Sequence, residues 1–191
     1  MHYCCLVFTK EFPTDEVLEK VLAPYNEERV YEQPEESRVY PAFTWDWFQV
    51  GGRYDGHLQL IVDSKDEKYA KYEWPYIART PRTGRLFRSM VLESAYKWAK
   101  FDLWAFFREE NWFGTLGSWN GYIRVDGASC EDIKNLEEVS CYCAASCDGT
   151  AIAKESYNGH GFDEDTEFED KLKKMKDAYK DGYVCIVDIH D

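Results

Sequence analysis

The chain has 191 residues, 36 of them acidic and 23 basic, for a formal charge of −13; so negative a surface repels nucleic acid and argues against direct DNA binding. Aromatic residues make up 17 %, with seven Trp, 14 Tyr and 11 Phe, too many for a disordered chain and enough to fill the core of one domain. No apolar run approaches the ~18 residues needed to span a bilayer, so no membrane span is expected and the cytoplasm is the default location.

The run from about His2 to Thr9 is apolar and β-favouring, and it lacks the positive flank and small-residue cleavage site of a signal peptide, so it reads as a first strand. Pro13-Thr14-Asp15-Glu16 then supplies a cap and first-turn acids for a helix with Val17, Leu18, Val21 and Leu22 as its inward stripe, ended by Pro24. Glu27 to Arg38 reads as a charged, exposed connection. After the segment Trp45 to Gly56, the alternation from His57 to Val62 predicts a second strand.

Residues 64 to 119 read as an insertion. Its first part is polar, with Pro75 and Pro81; its second is an aromatic helix from about Arg85 to Glu109, on which Phe87, Met90, Val91, Ser94, Trp98 and Phe101 recur at steps of three and four. That stripe suits a core-facing helix better than a ligand-lining one. A Gly/Ser/Asn/Trp loop over Gly114 to Gly121 leads into a strand at Tyr122 to Asp126, and Ala128 to Asn135 is expected to be a single helical connection. Strands follow at about Ser140 to Ala145 and Ala151 to Ser156, joined by the turn signal Cys147-Asp148-Gly149. A charged helix from about Asp163 to Tyr179 turns Phe168, Leu172, Met175 and Tyr179 inward, and Gly182 stops it before a last strand, Tyr183 to His190. The whole predicts an α+β domain over residues 1 to 191, with a mixed or antiparallel sheet flanked by helices and a central aromatic helical insertion.

Seven cysteines, an odd number without secretory context, make a disulfide framework unexpected. Cys141, Cys143 and Cys147 with His160 could be drawn as a Cys3His zinc site, but C-x-C-x3-C lacks the usual C-x2-C knuckle. The bland reading puts Cys141 and Cys143, two residues apart in a strand, on one buried face. Cys141 or Cys143 with His160 is also the one nucleophile-base pair that can be drawn, in acidic surroundings that oppose thiolate formation. His57, His160 and His190 are scattered, and no hydrolase, metalloprotease or phosphate-loop motif is present. No metal or cofactor is expected.

Three segments carry the candidate binding residues. In Trp45 to Gly56, Trp45, Trp47 and Tyr54 offer rings, Gly51 and Gly52 let the main chain approach a ligand, and Arg53 presents a donor fork suited to phosphate or carboxylate. The alternative is a turn of a twisted strand with Arg53 paired to Asp46 or Asp55. Arg79, Arg82, Arg85 and Arg88 form a local positive run that could receive phosphates, or neutralise Glu67, Glu73 and Glu93, or bridge a subunit interface. Trp112 and Trp119 flank a flexible loop suited to stacking on a base, to an oligomer contact or to core packing.

The pattern W-D-W-F-Q-V-G-G-R-Y-D-G at Trp45 to Gly56, the opening His2-Tyr3, and a terminal helix followed by Val187-Asp188-Ile189-His190 resemble a family of uncharacterised phage and bacterial proteins. Asp148-Gly149 and Gly159-His160-Gly161-Phe162 resemble its Gly-aromatic segment, with substitutions. Members often end in V-D-C-H, and Ile189 stands where that cysteine would be. The likeness covers both ends and the motif and implies a fold and a viral or bacterial setting. By analogy with phage proteins that act against host immunity, the leading expectation is a non-enzymatic protein that sequesters a small phosphorylated nucleotide-like ligand, a sponge for an immune second messenger. An acidic protein-interaction inhibitor or DNA mimic, and a nuclease or phosphodiesterase, are the alternatives; a homo-oligomer is compatible with each.

Overall fold

The computed structural model describes residues 1–54, 56–61, 118–119 and 122–191, with 60, 61, 118, 119 and 122–125 described by their backbone. In chain order the elements are β1 (His2–Thr9), α1 (Asp15–Leu22), α2 (Glu27–Tyr31), β2 (Trp47–Val50), β3 (Leu58–Ile61), β4 (Ser118–Trp119), β5 (Tyr122–Val125), β6 (Gly127–Ser129), β7 (Cys143–Ser146), β8 (Ala151–Ala153), β9 (Glu155–Tyr157), β10 (Phe162–Glu164), α3 (Phe168–Ala178) and β11 (Tyr183–His190). The architecture is α+β.

The two ends of the chain form the centre of the main sheet. β1 and β11 are nearly uninterrupted apolar runs, the pattern of strands buried on both faces, and they pair antiparallel along their full length from His2 opposite His190 to Thr9 opposite Tyr183. The order is β2-β11-β1-β7-β8, with β1 and β7 parallel and the other pairs antiparallel, so the sheet is mixed. Alternation then divides the core. Cys4, Leu6, Phe8, Val184 and Ile186 meet the Phe168, Leu172, Met175 and Tyr179 stripe of α3 on one face. Cys5, Val7, Cys185, Val187 and Ile189 meet Leu18, Val21 and Leu22 of α1, with Tyr25 and Phe43, on the other.

The outer edge of β11 is shared between two short strands. β6 takes Tyr183 to Cys185 and β2 takes Val187 to His190. Ile186 is the joint: its N–H donates to the Asp126 carbonyl at 2.7 Å, and its carbonyl accepts from Gly51 N–H at 2.9 Å. A second sheet, β3-β5-β4, joins the first core through buried Leu58.

Several sequence expectations hold in detail. Thr14 Oγ1 caps α1 by accepting from Val17 N–H at 3.3 Å, and the stripes of α1 and α3 face inward. Gly149, at φ +89°, closes the β7–β8 hairpin. In that turn Asp148 Oδ1 accepts from Ser146 Oγ at 2.7 Å and from Thr150 N–H at 2.9 Å. Those two bonds, the Ser146 hydroxyl first, hold the Asp148 carboxyl at about 2. A carboxyl depressed in the folded state stabilises above its unfolded value and loses that contribution as pH falls through the folded one. The stability advantage of the native chain over Asp148→Asn should therefore be full above the ordinary value of 3.8 and shrink as pH drops toward about 2. Chemical denaturation across that window measures it, and a pH-independent difference would contradict the assignment.

Other expectations are corrected. Glu27 to Tyr31 is a helical turn, α2, because Asn26 Oδ1 caps it from Arg29 N–H. Ala128 to Asn135 is not one helix: its start pairs as β6 with the free edge of β11, and a short 3₁₀ turn, Cys130–Asp132, follows. The last helix begins at Phe168 because Phe162–Glu164 pairs with β9 first. Cys141 and Cys143 lie in opposite cores, since β7 starts only at Cys143 and strand alternation does not extend to Cys141. The expected helix over Arg85 to Glu109 and most of the 64–119 insertion lie outside the described residues. No helix among the described residues is long and apolar enough to cross a membrane.

Candidate functional site

The W-D-W-F-Q-V-G-G-R and V-D-I-H motifs are two sides of one strand pair. In the β2–β11 register His190 lies opposite Trp47 and Asp188 opposite Gln49, while β1 brings His2 beside His190. Strand alternation leaves His2, Asp188, His190 and Trp47 on one face at one end of the sheet. There the rings interlock: Trp47 stacks on His190 at 5.6 Å and 11°, and His2 sits edge-on to both, 5.4 Å from Trp47 and 4.9 Å from His190.

Each imidazole is held by its own carboxylate. His2 Nδ1 and Asp188 Oδ1 are 2.9 Å apart, and His190 Nδ1 lies 2.9 Å from Asp46 Oδ1. A carboxylate on Nδ1 fixes the ring's orientation and tautomer and leaves Nε2 to meet something else. Among the described residues neither Nε2 has a partner. Slight desolvation opposes ionisation of Asp46, but the hydrogen bond and charge of His190, with the Trp47 N–H, outweigh it and hold the carboxyl below its usual range.

Asp188 is the buried hinge of the arrangement, 1 % exposed. Its Oδ2 accepts from Arg53 N–H at 2.9 Å. Gly51 and Gly52 both adopt the left-handed region, φ +69° and +58°, to pass the main chain over this carboxylate. The backbone donor at this turn, the Arg53 N–H, thus already serves the chain's own carboxylate.

The remaining motif residues divide accordingly. Trp45 is structural: its Nε1 donates to the Leu22 carbonyl at 2.8 Å and its ring packs on Phe48. Tyr54 donates its hydroxyl to the His2 carbonyl at 3.3 Å and packs against the first core. Trp47, 40 % exposed, and the exposed Arg53 remain available to a ligand. Asp46 pairs with His190 and not with Arg53, and the guanidinium has no ion pair among the described residues. Arg79, Arg82, Arg85, Arg88, Trp112 and Asp55 lie outside the described residues; Trp119 is placed by its backbone, in β4 opposite Tyr122.

Three hollows stand out among the described residues. A groove of about 720 Å³ runs along β2 past Trp45 and Trp47, but Asp15, Glu19 and Asp46 outnumber Arg29 in its walls, which disfavours an anion. A second, about 510 Å³, lies between the β7–β8 hairpin and α3. A third, about 240 Å³, is walled by tyrosines on the α1 face of the sheet. None of the three is lined by His2, His190 or Arg53.

No family model, curated protein or solved structure matches the chain.

The cysteine–histidine pair drawn from sequence is not assembled. Cys141 and Cys143 are buried in separate cores; burial pushes the Cys141 thiol up to about 12 and the Cys143 thiol well above its ordinary value. His160 sits exposed in the β9–β10 turn, with no bond to either. What sequence reading passed over is His2 and the pairing of Asp46 with His190. The signal was present: a histidine two residues after Asp188, and another aspartate beside Trp47. Only the β1–β11–β2 register joins them.

Proposed function

We propose that the protein binds a small phosphorylated, nucleotide-like ligand on the Trp47–His190–His2 face. The observation that carries this reading is the pair of Nδ1-anchored imidazoles whose Nε2 edges have no partner among the described residues, together with an exposed indole and an exposed guanidinium without an ion pair among those residues. The indole gives a stacking surface for a base, and Arg53 with the imidazole edges gives donors for phosphate oxygens. The anion contact thus moves from the double-glycine turn, which Asp188 fills, to the side chains around it. In the phage setting that the motif resemblance implies, capture without turnover would serve as a sponge for a nucleotide second messenger.

Calorimetry with cyclic dinucleotides and ADP-ribose derivatives tests it. Base stacking is worth ~1–3 kcal/mol, so Trp47→Ala should weaken a binding nucleotide by about 5- to 150-fold, and Arg53→Ala should weaken it while reducing its salt dependence. No heat and no thermal stabilisation from any nucleotide would rule the reading out.

The same two imidazoles favour one further reading, phosphodiester cleavage. Two histidines with carboxylate-oriented Nδ1 atoms can act as base and acid on opposite sides of a phosphate. Mass spectrometry of the nucleotide after incubation separates the two: intact ligand supports capture, and a cleaved product that disappears in His190→Ala supports turnover.

A further inference from the structure

On the opposite face of the same sheet end, the 240 Å³ hollow has mostly aromatic walls: Tyr3, Tyr31, Tyr40, Tyr142, Tyr157 and Phe162 line it, with Glu155 and Asp191 also in its wall. The rings brace one another and not a hydrophobic plug. Tyr3 stacks on Tyr142 at 4.3 Å, Tyr40 stands edge-on to Tyr157 at 5.1 Å, and Tyr157 meets Phe162 at 5.5 Å. Phe162, 71 % exposed, stands at the open side of the hollow.

Among the described residues no lysine, arginine or histidine pairs with the side chain of Glu155 or Asp191; Thr44 Oγ1 donates to Asp191 Oδ2 at 3.0 Å, and the Met1 amino group donates to the Asp191 backbone carbonyl. Both carboxylates act on the rings as negative charges. Burial first, and then the charges of Asp191 and Glu155, raise Tyr3; burial and Glu155 push Tyr142 up to about 12. The phenols therefore stay neutral and keep their π faces. One of these rings already carries a cation on a face: the Arg38 guanidinium lies 4.8 Å from the Tyr31 centroid while its Nη2 donates to the Tyr31 and Gln33 carbonyls.

We infer that this hollow is a cation-binding aromatic cage, and that its ligand is the head of an alkylated ammonium compound. Ring faces within about 6 Å attract a cation through the quadrupole, and a quaternary head, which gives no hydrogen bonds, loses little by leaving water for such walls. The volume lies below the roughly 300–1,000 Å³ of sites for drug-sized molecules, which suits a head group and not a whole nucleotide. The carboxylates add charge complementarity and disfavour phosphates. This site is separate from the His2–His190 face, so each inference can fail alone.

The test is an NMR titration of the whole chain with tetramethylammonium and choline, against 3,3-dimethyl-1-butanol, the uncharged shape-mimic of choline. Saturable shifts confined to the cage are expected, with the alcohol about tenfold weaker or worse. Tyr157→Leu and Glu155→Gln, both on the exposed β9–β10 hairpin, should each weaken choline several-fold while leaving the amide spectrum of the core unchanged. Tighter binding of a short peptide bearing trimethyl-lysine would assign the head to a protein side chain; tighter binding of choline would assign it to a free metabolite. Equal affinity for choline and the alcohol, or no saturable binding of any cation, overturns the cage.

Discussion

Asp188→Ala is expected to destabilise the fold by about 3 kcal/mol. The residue is 1 % exposed near one end of the longest strand pair, and its carboxylate holds two segments distant in sequence: His2 through Oδ1 and the Arg53 N–H through Oδ2, each at 2.9 Å. Alanine would leave a largely enclosed N–H and an imidazole nitrogen without partners, each costing ~1–3 kcal/mol, and a void beneath the double-glycine turn. Asn is the informative control. Its amide can still accept from Arg53 N–H and can donate to a neutral His2 Nδ1, so Asp188→Asn should lose less than half as much. Urea denaturation with unchanged m-value reads both. If Asp188→Ala falls within about 0.5 kcal/mol of the native chain, as an ordinary surface change does, the hinge role assigned to this carboxylate is wrong.

Gly52→Ala approaches from the other side of the same contact and should cost about 2–4 kcal/mol. Two effects add. Gly52 has φ +58°, where an L side chain costs about 1 kcal/mol, and an added Cβ would lie 2.4 Å from Asp188 Cβ and 2.6 Å from its Oδ2. Neither atom is the loose end of a flexible chain, so the turn or the strand must move, at a typical overpacking cost of ~1–3 kcal/mol. Gly149→Ala isolates the backbone part, because Gly149 has φ +89° with nothing within 4 Å of its added Cβ. It should lose about 1 kcal/mol. Equal losses at the two glycines would mean that the turn over Asp188 is loose and the clash unreal.

The double glycine followed by arginine indicated a main chain able to approach an anionic ligand, and in the fold the Arg53 N–H beside it meets an internal carboxylate. That the anion would be Asp188 was not legible, because the two lie 136 residues apart between Gly52 and Asp188 and meet only through strand register. The meeting of His2 with His190 was not legible for the same reason. His2 and His190 stand at opposite ends of the chain, and antiparallel pairing of β1 with β11 places them ring to ring. The tyrosine cage had no local signal: Tyr3, Tyr40, Tyr142 and Tyr157 come from four segments, none of which reads as a site alone.

Local physics did fix what local physics can. The cap at Thr14, the stripes of α1 and α3, the Asp148-Gly149 turn and the apolar runs of β1 and β11 were written into the sequence, because each depends on neighbours within a few residues and on a 2- or 3.6-residue period. Where a competing partner existed, the partner won: residues 127–129 pair with the free edge of β11 and do not start a helix. Which side chains share a site was decided by tertiary structure alone, since a strand's neighbours are set by burial of its faces across the whole sheet and not by its own residues. Sequence determined an α+β chain with rings and anion donors in reserve; the fold determined that the donors at the glycine turn face inward, and that two histidines and a ring of tyrosines face out.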